Sequence, residues 1–155
     1  MALTLVAGDE FMVAKYAHGY SRFSFPGSAP LFSGRVPGAQ PVCGDVVVFR
    51  MPRDTSTDYV KRVVGLPGDR IQMKEGVLHI NGRPMERQPV LAGDICERGS
   101  GGAKRWRERL PNGVSHEILD CVENSFYDNT PEYRVPDATI SCWVLTAATP
   151  PTAVS

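Results

Sequence analysis

An excess of charge of either sign is missing from this chain: seventeen Lys and Arg balance seventeen Asp and Glu across 155 residues. Without a net field, the composition offers nothing that draws nucleic acid or an anionic surface to the molecule as a whole, so no nucleic-acid partner is expected. Long apolar runs are missing too. No stretch approaches the roughly 18–20 apolar residues of a membrane-spanning helix, and residues 1–6 are too short for a signal peptide, so the sequence as given reads as soluble or peripheral.

Metal-binding and redox spacings are equally absent. Cys43, Cys96, Cys121 and Cys142 never come as a C-x-x-C pair, which removes the usual signature of a zinc site or a dithiol redox centre. They read as free thiols, although an even count also permits one or two bridges in an oxidising compartment. His18, His79 and His116 have no ligand spacing and read as polar strand or loop residues. No metal and no cofactor is expected, and neither a repeat nor a second domain is visible.

What the chain does hold is turn residues and short β-branched runs. Thirteen prolines and fifteen glycines separate segments such as Val46–Phe49, Val60–Val64, Ile71–Met73, Val77–Ile80 and Val114–Leu119, which predicts a mainly β domain with few helices. Within residues 5–16 the turn pair Gly8-Asp9 is followed by Phe11–Tyr16, which reads as a strand entering the core, and residues 24–40, carrying Pro26, Pro30 and Pro37, read as a surface loop. Val46–Phe49 is a continuous apolar run of the kind buried on both faces. The Gly65-Leu66-Pro67-Gly68-Asp69 segment predicts a tight corner. Gly76 and Asn81-Gly82 bracket Val77–Ile80 as a short hairpin arm projecting from the main sheet. Between Glu86 and Pro111, Gly99-Ser100-Gly101-Gly102 and the basic run Lys104, Arg105, Arg107 and Arg109 predict a flexible, solvated insertion.

One residue stands out chemically. Lys61 lies inside the strand-like run Tyr59–Val64, with Val60, Val63 and Val64 about it. A lysine at its reference pKa of about 10.4 cannot accept a proton at neutral pH, but apolar surroundings disfavour the ammonium form and turn such an amine into a general base. A neutral amine could deprotonate a serine hydroxyl that attacks a peptide carbonyl. Strand alternation puts Arg62 on the opposite face and leaves Lys61 beside Tyr59 and Val63.

Cys43-Gly44-Asp45-Val46-Val47-Val48-Phe49 and Tyr59-Val60-Lys61-Arg62-Val63-Val64-Gly65-Leu66-Pro67-Gly68-Asp69 resemble the paired boxes R-G-D-x-V-V-F and Y-x-K-R-x-x-G-x-P-G-D of bacterial type I signal peptidases. Cys43 stands where that pattern has arginine. Residues 15–26 and 31–35, Leu110–Val114 and Asp128–Glu132 extend the similarity toward the α-proteobacterial branch, so that it covers about residues 3–136. The resemblance implies an antiparallel, coiled or barrel-like β-sheet domain with a hairpin extension over residues 1–136. It also implies a serine endopeptidase of the serine-lysine type that removes signal peptides from exported proteins, on the periplasmic side of the bacterial inner membrane and anchored in it in the full-length protein.

By the same resemblance Lys61 is the general base. The preprotein adds as an extended strand beside Asp58, Tyr59 and Val60, and small residues one and three positions before the cut fit shallow pockets to which Phe11, Val13 and Val48 contribute, unless these three only pack the core.

The sequence departs from the family pattern in two places. The nucleophilic serine of the family's S-M-x-P-T-L motif has no counterpart: Met1 falls on the motif methionine and Leu3 on its proline, while Ser21, Ser24 and Ser28 match no motif position. After Asp137 the family's G-H-Y-F and D-S-R segments are replaced by Ala138-Thr139-Ile140-Ser141-Cys142-Trp143-Val144, and codons for residues 138–155 with one guanine restored can be read as G-H-Y-F-V-L-G-A-D-S-R-D-S-A-D-S-R. These observations predict a chain that is inactive as written, with a frameshifted, disordered tail over 137–155. A conjugative-transfer maturation peptidase is the alternative within the same chemistry. A self-cleaving repressor would need an upstream DNA-binding unit and scissile linker. A non-catalytic peptide-binding fragment is the alternative outside that chemistry.

Overall fold

The computed structural model describes residues 10, 12–14, 17, 39–51, 54–91, 104–120, 125–137, 140–143 and 152–154. Among the described residues eleven strands are present: β1 (Val46–Met51), β2 (Asp54–Gly65), β3 (Arg70–Lys74), β4 (Val77–Ile80), β5 (Arg83–Pro84), β6 (Glu86–Val90), β7 (Lys104–Arg109), β8 (Ser115–Asp120), β9 (Tyr133–Arg134), β10 (Ile140–Trp143) and β11 (Thr152–Val154). A single 3-10 turn, Phe126–Asp128, is the only helical element among the described residues. The fold is mainly β, as the sequence predicts. The strands form three antiparallel sheets, β1-β2-β10-β11, β5-β4-β3-β9 and β6-β7-β8, and none of them closes into a barrel.

Strand β2 is the organising element because both of its faces are buried near its C-terminal end. Val64 (1% exposed) joins Ile71, Met73, Leu78, Ile80, Met85, Leu110 and Val135 in the larger core. Val63 (0%) packs with Val47, Phe49 and Leu66 in a smaller one. Adjacent residues of one strand thus feed two cores, which is what strand alternation does with consecutive valines.

The turns follow from local chemistry. At the 65–69 corner Asp69 accepts a hydrogen bond from the Leu66 amide (2.8 Å), Gly68 adopts φ +86°, and the corner exchanges two backbone bonds with Val135. Asn81-Gly82, both at positive φ, make the two-residue turn that β-hairpins favour. The 3-10 turn carries a capping box between Ser125 and Asp128. Beyond it, Asn129 accepts from the Glu75 amide and Thr130 from the Met73 amide, each at 3.0 Å. The Asp128-Asn129-Thr130 part of the resemblance therefore ties down the β3–β4 hairpin.

Several sequence expectations are corrected. Val77–Ile80 does not project: Leu78 and Ile80 are core residues, because the alternate positions of β4 face Val64 and Met73. Within the 86–111 insertion, Glu86–Val90 and Lys104–Arg109 are strands, the second lying centrally between β6 and β8. Charge there does not prevent strand formation, because Arg105 and Arg107 both meet Glu117 (3.4 and 2.9 Å) and Arg87 meets Glu108 (2.9 Å). Val46–Phe49 is not buried on both faces, since Val47 is buried while Val46 is 43% exposed. Residues 12–14 lie outside any strand, with Met12 and Val13 exposed. Thr152–Val154, expected to be disordered, pairs with β10, because residues 140–143 are β-formers whose free edge accepts another strand. Most of the 24–40 loop and the Gly99–Gly102 stretch lie outside the described residues.

Candidate active site

Lys61 sits on β2 opposite Val47 of β1 and is half-buried. Its face of the two-stranded ladder carries Tyr59, Lys61 and Val63 on β2 and Val47 and Phe49 on β1. Phe49 is the cross-strand partner of Tyr59, and their rings stack with centroids 6.0 Å apart. Val47, directly across from Lys61, and Val63, two residues further along β2, are buried. Along the strands the lysine therefore has the aromatic pair on one side and Val63 on the other, with Val47 opposite it. Of the three valines expected about it, only Val63 shares its face. Val60 and Val64 point to the other, and sequence reasoning missed Val47 and Phe49, which the register of β1 brings in.

The opposite face carries Val60, Arg62 and Val64. Arg62 is buried, donates from Nη1 to the Gly44 carbonyl at 2.6 Å, and has its pKa pulled down by burial. Gly44 also exchanges with Val63: the Gly44 amide donates to the Val63 carbonyl, and the Val63 amide to Asp45 O, both at 2.8 Å. A Cβ at Gly44 would lie 3.1–3.2 Å from three Val114 atoms, at φ +95°. Glycine is needed there on both counts. The Gly44-Asp45 pair and the Lys61-Arg62 pair are thereby fixed to one another across the two strands.

Asp58, Tyr59 and Val60 pair with Arg50, Phe49 and Val48 on one edge of β2. On the other edge β10 pairs with β2 from Gly65 to Arg62. Val48 is half-buried opposite Val60, on the face away from Lys61. Val13 is 44% exposed, and Phe11 lies outside the described residues, as do Ser21, Ser24 and Ser28. Cys43 is a free thiol that donates weakly to the Val64 carbonyl (3.8 Å). Burial, reinforced by Asp69 and Asp45, pushes it up, which keeps it a thiol and a poor nucleophile.

The family profile described as signal peptidase, peptidase S26, matches residues 1–123. The chain belongs to the signal peptidase family. Its relatives include the Signal peptidase I proteins of Rickettsia typhi, 40% identical over 147 residues, and Rickettsia massiliae, 39% identical over 145 residues, each match covering 88% of this chain and 54% of the relative. That of Rickettsia prowazekii is 38% identical over 147 residues, with the same coverage. The chain spans about half the length of these curated relatives, which agree with the α-proteobacterial character of its motifs. Among the described residues of this signal peptidase chain, no helix is long and apolar enough to cross a membrane, and no group of three or more His, Cys, Asp and Glu could hold a metal.

Proposed function

We infer that this chain is the base-bearing part of a serine endopeptidase that removes signal peptides from exported preproteins, with Lys61 as general base of a serine-lysine pair. The observation that carries this is the setting of Lys61 on a family-matched strand, between the Phe49–Tyr59 stack and Val63 along the strands and opposite buried Val47. Apolar neighbours favour an uncharged amine, and an uncharged amine can take a serine proton.

In this reading the preprotein lies extended beside Asp58, Tyr59 and Val60, with Val48, Val13 and Phe11 as the residues offered for its small side chains. The complete protein works at the periplasmic face of the inner membrane and is anchored in it. The unit concerned is residues 1–136, and 137–155 is a frame-altered tail. Ser21, Ser24 and Ser28 match no position of the family's nucleophile motif.

The test is incubation of a preprotein bearing a signal peptide with the chain extended by the family's serine-bearing segment. The extended chain releases the mature protein, and its Lys61→Met variant loses at least about 100-fold in rate, a general-base contribution. Full activity in Lys61→Met overturns the reading. Signal-peptide binding without cleavage, on the strand that carries Asp58, Tyr59 and Val60, is the second reading. Fluorescence anisotropy of a labelled signal peptide with the given chain tests it.

A further inference from the structure

Behind the strand that carries Lys61 lies a buried charged cluster with no part in the proposed chemistry. His116 of β8 has its side chain 2% exposed, and Glu108 of β7 3%. His116 Nε2 stands 3.5 Å from Glu108 Oε2, while Arg87 of β6 donates from Nε to Glu108 Oε1 at 2.9 Å. Arg62 approaches from β2, close enough for its charge to act on the ring. Both ring nitrogens of His116 and Nε of Arg62 are buried without a hydrogen-bond partner. The charges of two guanidinium groups thus act on the ring, and one of them, Arg87, also holds the Glu108 carboxylate. On the turn before β1, Cys43 and Asp45 flank the Gly44 carbonyl that holds Arg62.

The same hairpin touches that turn. Asn112, in the loop joining β7 to β8, donates to the Cys43 carbonyl at 2.6 Å, and Val114 packs on Gly44. A continuous path therefore runs from His116 through Arg62 and Gly44 to Asn112, joining the β6–β7–β8 sheet to the ladder of Lys61.

We propose that His116 is a proton-controlled latch: neutral, it lets the β7–β8 hairpin close over Arg62 and Gly44; protonated, it forces a third cation against Arg62 and Arg87 and releases the hairpin from β2. Burial, then the charges of Arg62 and Arg87, lower the ring's pKa from 6.5 to about 4. Between those values the unfolded chain binds the proton and the folded chain does not, so stability is full above pH 6.5 and falls as pH drops toward 4. Glu108 acts the other way. Burial raises its carboxyl against the pull of Arg87, so the folded state takes up that proton first and regains some stability in acid. The histidine contribution is therefore read as the difference between wild type and a variant that lacks only the ring. The latch does not depend on Lys61 being a catalytic base.

The experiment compares the wild-type chain with His116→Gln by urea unfolding at pH 7 and pH 5, and follows the His116 ring, Gly44 and Val63 resonances of the wild type by NMR from pH 7.5 to 3.5. The expected result is a wild-type urea midpoint that falls from pH 7 to pH 5 by more than that of His116→Gln. The ring should titrate near pH 4, with the Gly44 and Val63 amides moving at the same midpoint. A ring that titrates near 6.5, or amides that ignore its titration, overturns the proposal even where the variant does not fold. An equal acid loss in wild type and variant overturns it as well.

Discussion

Truncation of Val63 to alanine tests the packing that links the stability of β2 to the setting of Lys61. The side chain is 0% exposed and fills the space between Val47, Phe49 and Leu66. Val63→Ala removes two carbons. At about 0.8 kcal/mol for each methylene-sized group, the lost transfer term is about 1.6 kcal/mol. A residual cavity of about 40–50 Å³ adds about 1 kcal/mol, because strands held by ladders on both sides collapse poorly. The expected loss is about 2.5 kcal/mol, or, with an m-value of about 1.5–2 kcal/mol/M, a urea midpoint lower by about 1.2–1.7 M. Val46→Ala, in the paired strand but 43% exposed, should cost less than about 0.5 kcal/mol. Urea titration followed by tryptophan fluorescence and by far-UV dichroism measures both variants and checks that one transition describes them. If Val63→Ala loses under about 1 kcal/mol, or no more than Val46→Ala, the small cluster beside Lys61 is not the packed unit described here.

Gly44→Ala should lose about 2–3 kcal/mol, since it combines a left-handed backbone with contacts to Val114. Gly82→Ala, with φ +77° but nothing within 4 Å of the added carbon, should lose only about 1 kcal/mol. Urea midpoints separate the two, and Val114→Ala added to Gly44→Ala should return part of its loss. Thr130→Val deprives the Met73 amide of its acceptor and should cost about 1–2 kcal/mol by thermal unfolding, with Thr130→Ser close to wild type.

The legible features were those written in local chemistry. Glycine and asparagine at positive φ marked the corner at 65–69 and the turn at 81–82, and alternation told which neighbours of Lys61 share its face. Family membership was legible as well, because the Gly44–Phe49 and Tyr59–Asp69 boxes keep residues that these turns and this ladder require. The illegible features depended on a partner strand. Lys104–Arg109 looked like a solvated basic loop, because only the register with β8 shows that Glu117 answers two of its arginines. His116 looked like an ordinary polar strand residue, and nothing nearby in sequence announces that Arg62 and Arg87 lie against it.

From its residues alone the chain determines a mainly β fold, the turns that punctuate it, and a lysine set in an apolar strand, since each of these needs only backbone preferences and the two-residue period of a strand. Tertiary structure alone decides which residues meet. The register of β1 against β2 sets Val47 and Phe49 about Lys61, and the docking of the β7–β8 hairpin buries a histidine between two arginines. Such contacts join residues tens of positions apart, and their energies depend on burial and charge that no local window contains.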